Sequence, residues 1–184
     1  FRRVLFRSMG RIVFLYFLQK KGWLGATDNR FIDGDLNFMN NFWEGSEKDE
    51  AFYNNHLKRL FHEGLNKERQ HNEFLLPNGI KTKVPYLNGG LFDMEHFDNK
   101  IITFPKYLFE NLFDFLSRYN FTIDENDPEE NEIGIDPEML GHIFENLLED
   151  NKDKGAFYTP KEIVKYMTQE SLTEYLIVGL KSDN

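Results

Sequence analysis

The amino-acid sequence predicts a mainly α fold, a helical domain with one or two small β-hairpin elements. Apolar residues recur at the three- and four-residue spacing of a helix face in several separate stretches. Proline stands at three positions suited to a helix start, and the β-prone runs are only a few residues long. Nineteen phenylalanines in 184 residues, within 40% hydrophobic residues overall, supply enough bulky apolar surface for one proper core.

Taken in order, Ile12, Val13, Phe14, Leu15, Tyr16, Phe17 and Leu18 run nearly all round a helix over residues 11–20, which Gly22 then ends. This run has about seven residues against the roughly 20 needed to span a bilayer, and Arg11 and Lys20 bracket it. It reads as a buried helix, so no membrane is expected among the partners. Residues 25–47 are rich in Gly, Asn and Asp with scattered Phe31, Phe38, Phe42 and Trp43, which suits a loop with a short helical turn. Phe52, Tyr53, Leu57, Leu60, Phe61 and Leu65 mark an amphipathic helix over 48–66, closed by the Asn and Pro-Asn-Gly signals at 66–79. Residues 84–93 combine a β-like start with the Gly89–Gly90 pair and predict a sharply turned loop.

Pro105 is placed as the first residue of a helix carrying Leu108, Phe109, Leu112, Phe113, Leu116 and Tyr119. Residues 121–123 and 132–135 are β-prone and could pair across the acidic stretch 124–130, which reads as a solvated turn. Asp136-Pro137-Glu138 opens a further helix, with Asp as cap and an acid in the first turn, carrying Met139, Leu140, Ile143, Phe144, Leu147 and Leu148. After a charged break at 149–154, Thr159 is placed to cap the last helix, with Pro160 first and Glu162 third in a capping box. That helix, 160–178, is expected to bury Ile163, Val164, Met167, Leu172, Tyr175 and Leu176. There is no internal repeat and no low-complexity segment.

Composition excludes several chemistries. With no cysteine, the chain has no disulfide, thiolate zinc site or cysteine nucleophile, which fits a reducing cytoplasm. A formal charge of −9 argues against the chain being the main clamp on nucleic acid, because phosphate neutralisation needs clustered Lys and Arg. Residues 1–8 resemble the translation of a common sequencing-adapter oligonucleotide, an artefact to set aside from fold reasoning. Without Arg2, Arg3 and Arg7 the charge falls from −9 to −12, and the natural reading frame is expected to begin upstream of Met9.

The histidines at 56, 62, 71, 96 and 142 show no i, i+4 pairing and no carboxylate cluster, so no metal site is expected. Ser, His and Asp occur in no recognisable nucleophile arrangement. Asp98-Asn99-Lys100 and Asp150-Asn151-Lys152 have the acid-x-Lys spacing of metal nucleases but lack the Pro-Asp partner upstream, and read as ordinary surface residues. Lys152, Lys154, Lys161 and Lys165 form a local basic patch whose plainest reading is a solvated face rather than a phosphate contact.

Residues 155–172, beginning Gly-Ala-Phe-Tyr-Thr-Pro, resemble the segment that leads into the catalytic domain of adenine-specific DNA methyltransferases. Residues 136–148, the Pro-Tyr-Leu-Asn-Gly-Gly-Leu-Phe loop at 85–92, and residues 11–24 look like the same family, in family order. The resemblance is to large single-chain restriction-modification enzymes and phage-defence methylases. It implies a helical domain over 9–150 and, over 151–184, the start of a methyltransferase domain leading into a Rossmann-like fold beyond the chain. In that family the Phe-Tyr-Thr-Pro segment contributes to the S-adenosyl-L-methionine pocket, which makes Phe157, Tyr158, Thr159 and Pro160 candidate cofactor-binding residues by similarity. An aromatic ring can cover a sulfonium by cation–π attraction, and a capping Thr at a helix start suits a carboxylate. The plain alternative is that Phe157 and Tyr158 pack and Thr159 caps.

Family members follow this segment with a Gly-rich cofactor loop and an Asn-Pro-Pro-Tyr-type tetrapeptide that holds the flipped adenine. This sequence has no Pro-Pro pair, so no catalytic residue is assigned and the chain alone is expected to be inactive. For the intact protein the resemblance implies methyl transfer to adenine N6 in double-stranded DNA after base flipping, with the downstream methyltransferase domain as partner. The competing reading is a non-catalytic helical module that binds DNA or protein in a phage-defence complex.

Overall fold

The computed structural model describes residues 2–87, 90–119, 121, 141 and 159–182. They belong to two compact units, Phe1–Pro137 and Glu138–Asn184. Among the described residues the fold is mainly helical with one two-stranded hairpin, in keeping with the predicted class.

The first unit opens with α1, Arg2–Lys20. The helix therefore starts nine residues before the predicted 11–20 span and runs through the residues set aside as an artefact, with Val4 and Ser8 buried on the rows that continue into Ile12 and Leu15. Its end is a Schellman motif: Gly22, at φ +69°, donates to the Gln19 carbonyl at 2.8 Å, and Trp23 to that of Leu18 at 3.1 Å. Beyond it the loop folds back on itself, Gly34 N–H bonding the Gly22 carbonyl at 2.9 Å and Asp35 N–H that of Leu24 at 2.8 Å. The predicted short helical turn is α2, Phe38–Gly45, which buries Phe38, Met39, Phe42 and Trp43.

The helix expected over 48–66 differs in both start and type. Glu47 and Lys48 have positive φ, 55° and 56°, which no α-helix tolerates, so the helical stretch begins only at Phe52. Two π-helical segments follow, Tyr53–Leu57 and Leu60–Leu65, in which Lys58 N–H bonds the Tyr53 carbonyl and Asn66 N–H that of Phe61 at 3.1 Å. The wider turn still buries all six predicted apolar residues, each at most 1% exposed. Asp49 caps the entry, accepting from Ala51 N–H and Asn55 Nδ2, both at 2.8 Å. Asp49→Ala is expected to cost about 1 kcal/mol, read from the urea midpoint. Its carboxyl is held below the ordinary value, chiefly by the Ala51 N–H, so that contribution is present at neutral pH and fades as acid protonates the group.

Helix α3, Lys106–Ser117, closes the core with Phe109, Phe113 and Leu116. Pro105 sits one residue outside it, as the cap, because its ψ of 137° is extended. The core is aromatic: Trp43 meets Phe52 edge-on at 4.7 Å between centroids, and Phe52 meets Phe109 at 5.1 Å, the T-shaped geometry that ring quadrupoles favour.

Strands β1, Glu73–Leu75, and β2, Lys81–Lys83, pair antiparallel with Phe74 opposite Thr82. The sequence signals here predict only a closing turn. Pro77-Asn78-Gly79 is indeed that turn, with Gly79 at φ +82°. Ala26 pairs with Lys83 on the far side of β2. Of the predicted pairing of 121–123 with 132–135, only Phe121 is described, buried against Tyr16 and Phe17; the rest lies outside the described residues, as does the 136–148 helix apart from Gly141.

In the second unit, α4 is Lys161–Ser182. It starts one residue later than predicted, and the Pro160 carbonyl accepts its first bonds, from Ile163 at 3.0 Å and Val164 at 3.1 Å. The expected burial of its apolar face is not found: Ile163 is 49% exposed, Met167 59% and Tyr175 76%. Ile163, Tyr166, Leu172 and Leu176 stand on different sides of the helix, so no single stripe collects its apolar residues. Among the described residues no helix is long and apolar enough to cross a membrane.

Candidate functional site

The segment proposed for cofactor contact is described in part. Phe157 and Tyr158 lie outside the described residues, while Thr159 and Pro160 are exposed at the N-terminal end of the 22-residue helix α4. A helix start carries N–H groups without intrahelical partners and the positive end of the dipole, which suits an anion. Glu162, in the first turn, offsets part of that field. Of the predicted basic patch, Lys165 is exposed, and Lys152, Lys154 and the Lys161 side chain lie outside the described residues.

A second constellation joins residues far apart in sequence. Arg11, on α1, is 1% exposed although it is charged. Its Nε donates to the Leu91 carbonyl and its Nη2 to the Asp93 carbonyl, both at 2.8 Å, and Nη2 lies 3.6 Å from Asp98 Oδ2. Asp98, 4% exposed on the turn His96–Asn99, also accepts from Glu95 N–H at 3.0 Å and from the Tyr53 hydroxyl at 3.4 Å. From the π-helical stretch, His62 bonds the Phe92 carbonyl through Nδ1 at 3.1 Å, and Lys58 donates to the Lys100 carbonyl at 2.5 Å. Arg7 pairs with Glu95 and donates to the Gly90 carbonyl at 3.1 Å. Every backbone carbonyl from Gly90 to Asp93 thus ends on a cationic or imidazole side chain.

Burial governs the electrostatics of this cluster. Desolvation pushes Arg11 down, against the pull of Asp98, and pushes the Tyr53 hydroxyl up. It also lowers Lys58. The arrangement fixes the shape of the 90–99 loop, the stretch that contains the C-terminal half of the Gly-Gly motif, and presents no open reaction centre.

Sequence reasoning missed this cluster. The available signal was Arg11 at the head of a run that is apolar on every side of a helix, where a guanidinium needs a buried partner. The acid-x-Lys spacing at Asp98 says nothing of this role, and the structure turns Asp98 inward onto Arg11 while Lys100 is exposed. Among the described residues no three His, Asp or Glu side chains are grouped as a metal site would need. A cleft of about 360 Å³ between α2 and α3 has acidic walls, but Glu44 is paired with Lys48 at 3.1 Å, Glu110 with Lys106 at 4.0 Å, and Asp114 with Arg118.

Comparison with known proteins gives one relative of note. The chain is 30% identical over 184 aligned residues to a protein of Methanocaldococcus jannaschii named "Putative type II restriction enzyme and methyltransferase". The similarity covers 94% of this chain and 15% of that protein, so the chain spans about 15% of the length of the curated relative it matches. No family model and no solved structure matches the chain.

Proposed function

We propose that the chain is part of a site-specific DNA adenine-N6 methyltransferase of a restriction-modification or phage-defence system, with S-adenosyl-L-methionine as methyl donor. The observation that carries this reading is the similarity over 94% of the chain to the protein named "Putative type II restriction enzyme and methyltransferase". A match of that extent aligns a whole region rather than one short motif, and it agrees with the resemblance of residues 11–24, 85–92, 136–148 and 155–172.

The described geometry suits the reading. Thr159 and Pro160 are exposed at the start of a long helix, where a ligand carboxylate would meet N–H donors and the helix dipole. Phe157 and Tyr158 would lie against the apolar and sulfonium parts of the same ligand. When bound, the cofactor supplies an electrophilic methyl group. This chain contributes the wall that binds and orients it, and the downstream methyltransferase domain holds the extruded adenine. Helix α4 leaves Ile163, Met167, Leu172 and Leu176 exposed, apolar side chains of the kind that further structure would cover. The acidic balance of the chain fits DNA phosphate contacts made elsewhere in the intact protein.

The test is methylation of double-stranded DNA by the intact protein, with Thr159→Ala and Phe157→Ala beside the wild type. Losing one hydrogen bond to a charged ligand group should raise the cofactor KM roughly tenfold, with a smaller change in kcat. Methylation on a base other than adenine would remove the adenine assignment. A folded intact protein that methylates nothing, while this chain binds DNA in a salt-sensitive way, would leave a non-catalytic DNA-binding module.

A further inference from the structure

The two ring nitrogens of His62 stand in unlike surroundings. Its side chain is 9% exposed, and Nδ1 lies 3.1 Å from the Phe92 carbonyl, which fixes the proton on Nδ1 in the neutral ring. Nε2 is buried, has no hydrogen-bond partner and stands 3.8 Å from Asp98 Oδ2. The charged groups acting on the ring are Arg11 from α1, Lys58 from the π-helical stretch and Asp98 from the loop, and Asp98 in turn accepts from the Tyr53 hydroxyl at 3.4 Å. Asp98 is the carboxylate among them that meets the ring, and it already answers Arg11 at 3.6 Å. A proton on Nε2 would add another cation to a pocket where positive charge already prevails.

We propose that His62 is a proton-sensitive pin: the neutral imidazole holds the 90–99 loop against α1, and protonation at Nε2 releases the loop. In the released state the imidazolium reaches water, so that state binds the proton more tightly. Burial first, and Arg11 second, hold the closed-state pKa below the ordinary 6.5 despite the pull of Asp98. Linkage then fixes the sign: the closed loop is most stable above about pH 6.5 and loses ground as pH falls from there to the lowered pKa.

Amide hydrogen exchange of residues 90–99 in the 184-residue chain, corrected for the intrinsic exchange rate, tests this from about pH 7.5 to 5. In the wild type the opening equilibrium should grow by up to about tenfold per pH unit within that window, and in His62→Gln the dependence should vanish. Protection that ignores pH in the wild type, or an equal slope in His62→Gln, overturns the proposal. Should the variant fail to fold, the wild-type imidazole titration followed by NMR decides: a His62 pKa below about 6.5 supports the pin, and one at or above it defeats the proposal.

Discussion

Arg11→Met should lower the stability of the chain by about 3–5 kcal/mol, because it leaves the Asp98 carboxylate buried without its cation. Met replaces the length of the arginine stem, so the loss reports the charge rather than a cavity. Two loop carbonyls, those of Leu91 and Asp93, lose their 2.8 Å bonds from Arg11 as well. Removing the carboxylate too, in Arg11→Met with Asp98→Leu, should recover part of the loss and not all of it, since the Leu91 carbonyl stays unpaired and that of Asp93 keeps only the longer bond from Arg7 at 3.4 Å. Urea unfolding of the two singles and the double provides the coupling energy directly. A single-variant loss under about 1 kcal/mol would mean that the pair is solvated, as exposed ion pairs are.

Gly34→Ala is the second large effect, and its cause is steric. A Cβ at this position would stand 2.3 Å from the Gly22 carbonyl oxygen and 2.5 Å from that of Leu24. Both obstacles are backbone, and both oxygens accept the hydrogen bonds that close the loop between α1 and α2. The substitution should therefore cost about 3 kcal/mol or more, the upper end for inserting volume into a packed site. Gly79→Ala is the control: its φ is +82° but nothing lies within 4 Å of the added atom, so only the backbone cost of about 1–2 kcal/mol applies. Equal losses in the two variants would refute the clash at Gly34.

Where one helix period dominates, the fold was legible in the sequence. The run from Ile12 to Leu18 and the set Phe52, Tyr53, Leu57, Leu60, Phe61 and Leu65 were read as buried helix faces, and those residues are buried apart from the half-buried Phe14. The π geometry of the second set was not legible, because the same apolar spacing serves both hydrogen-bond patterns. The hairpin at 73–83 was hidden because Phe74 is its one fully buried side chain, and Lys81 and Lys83 carry no hydrophobic alternation. Arg11 and Asp98 gave no local sign of each other, since ion pairing between distant residues leaves no periodic trace. At the candidate cofactor segment, the helix start beside Thr159 was placed to within one residue by its proline, while the role of the segment came from resemblance alone.

The pairing of Ala26 with Lys83 closes a ring of chain that encloses α2 and both π-helical segments. Closing so long a ring sets an entropic toll that local helix formation does not share. The helices within it can nucleate on their own contacts, and the clasp is then a late event in folding. Weakening it should quicken unfolding and leave the folding rate nearly untouched. The single bridge between Ala26 and Lys83, small as it is, would thereby govern how long the helical core stays shut.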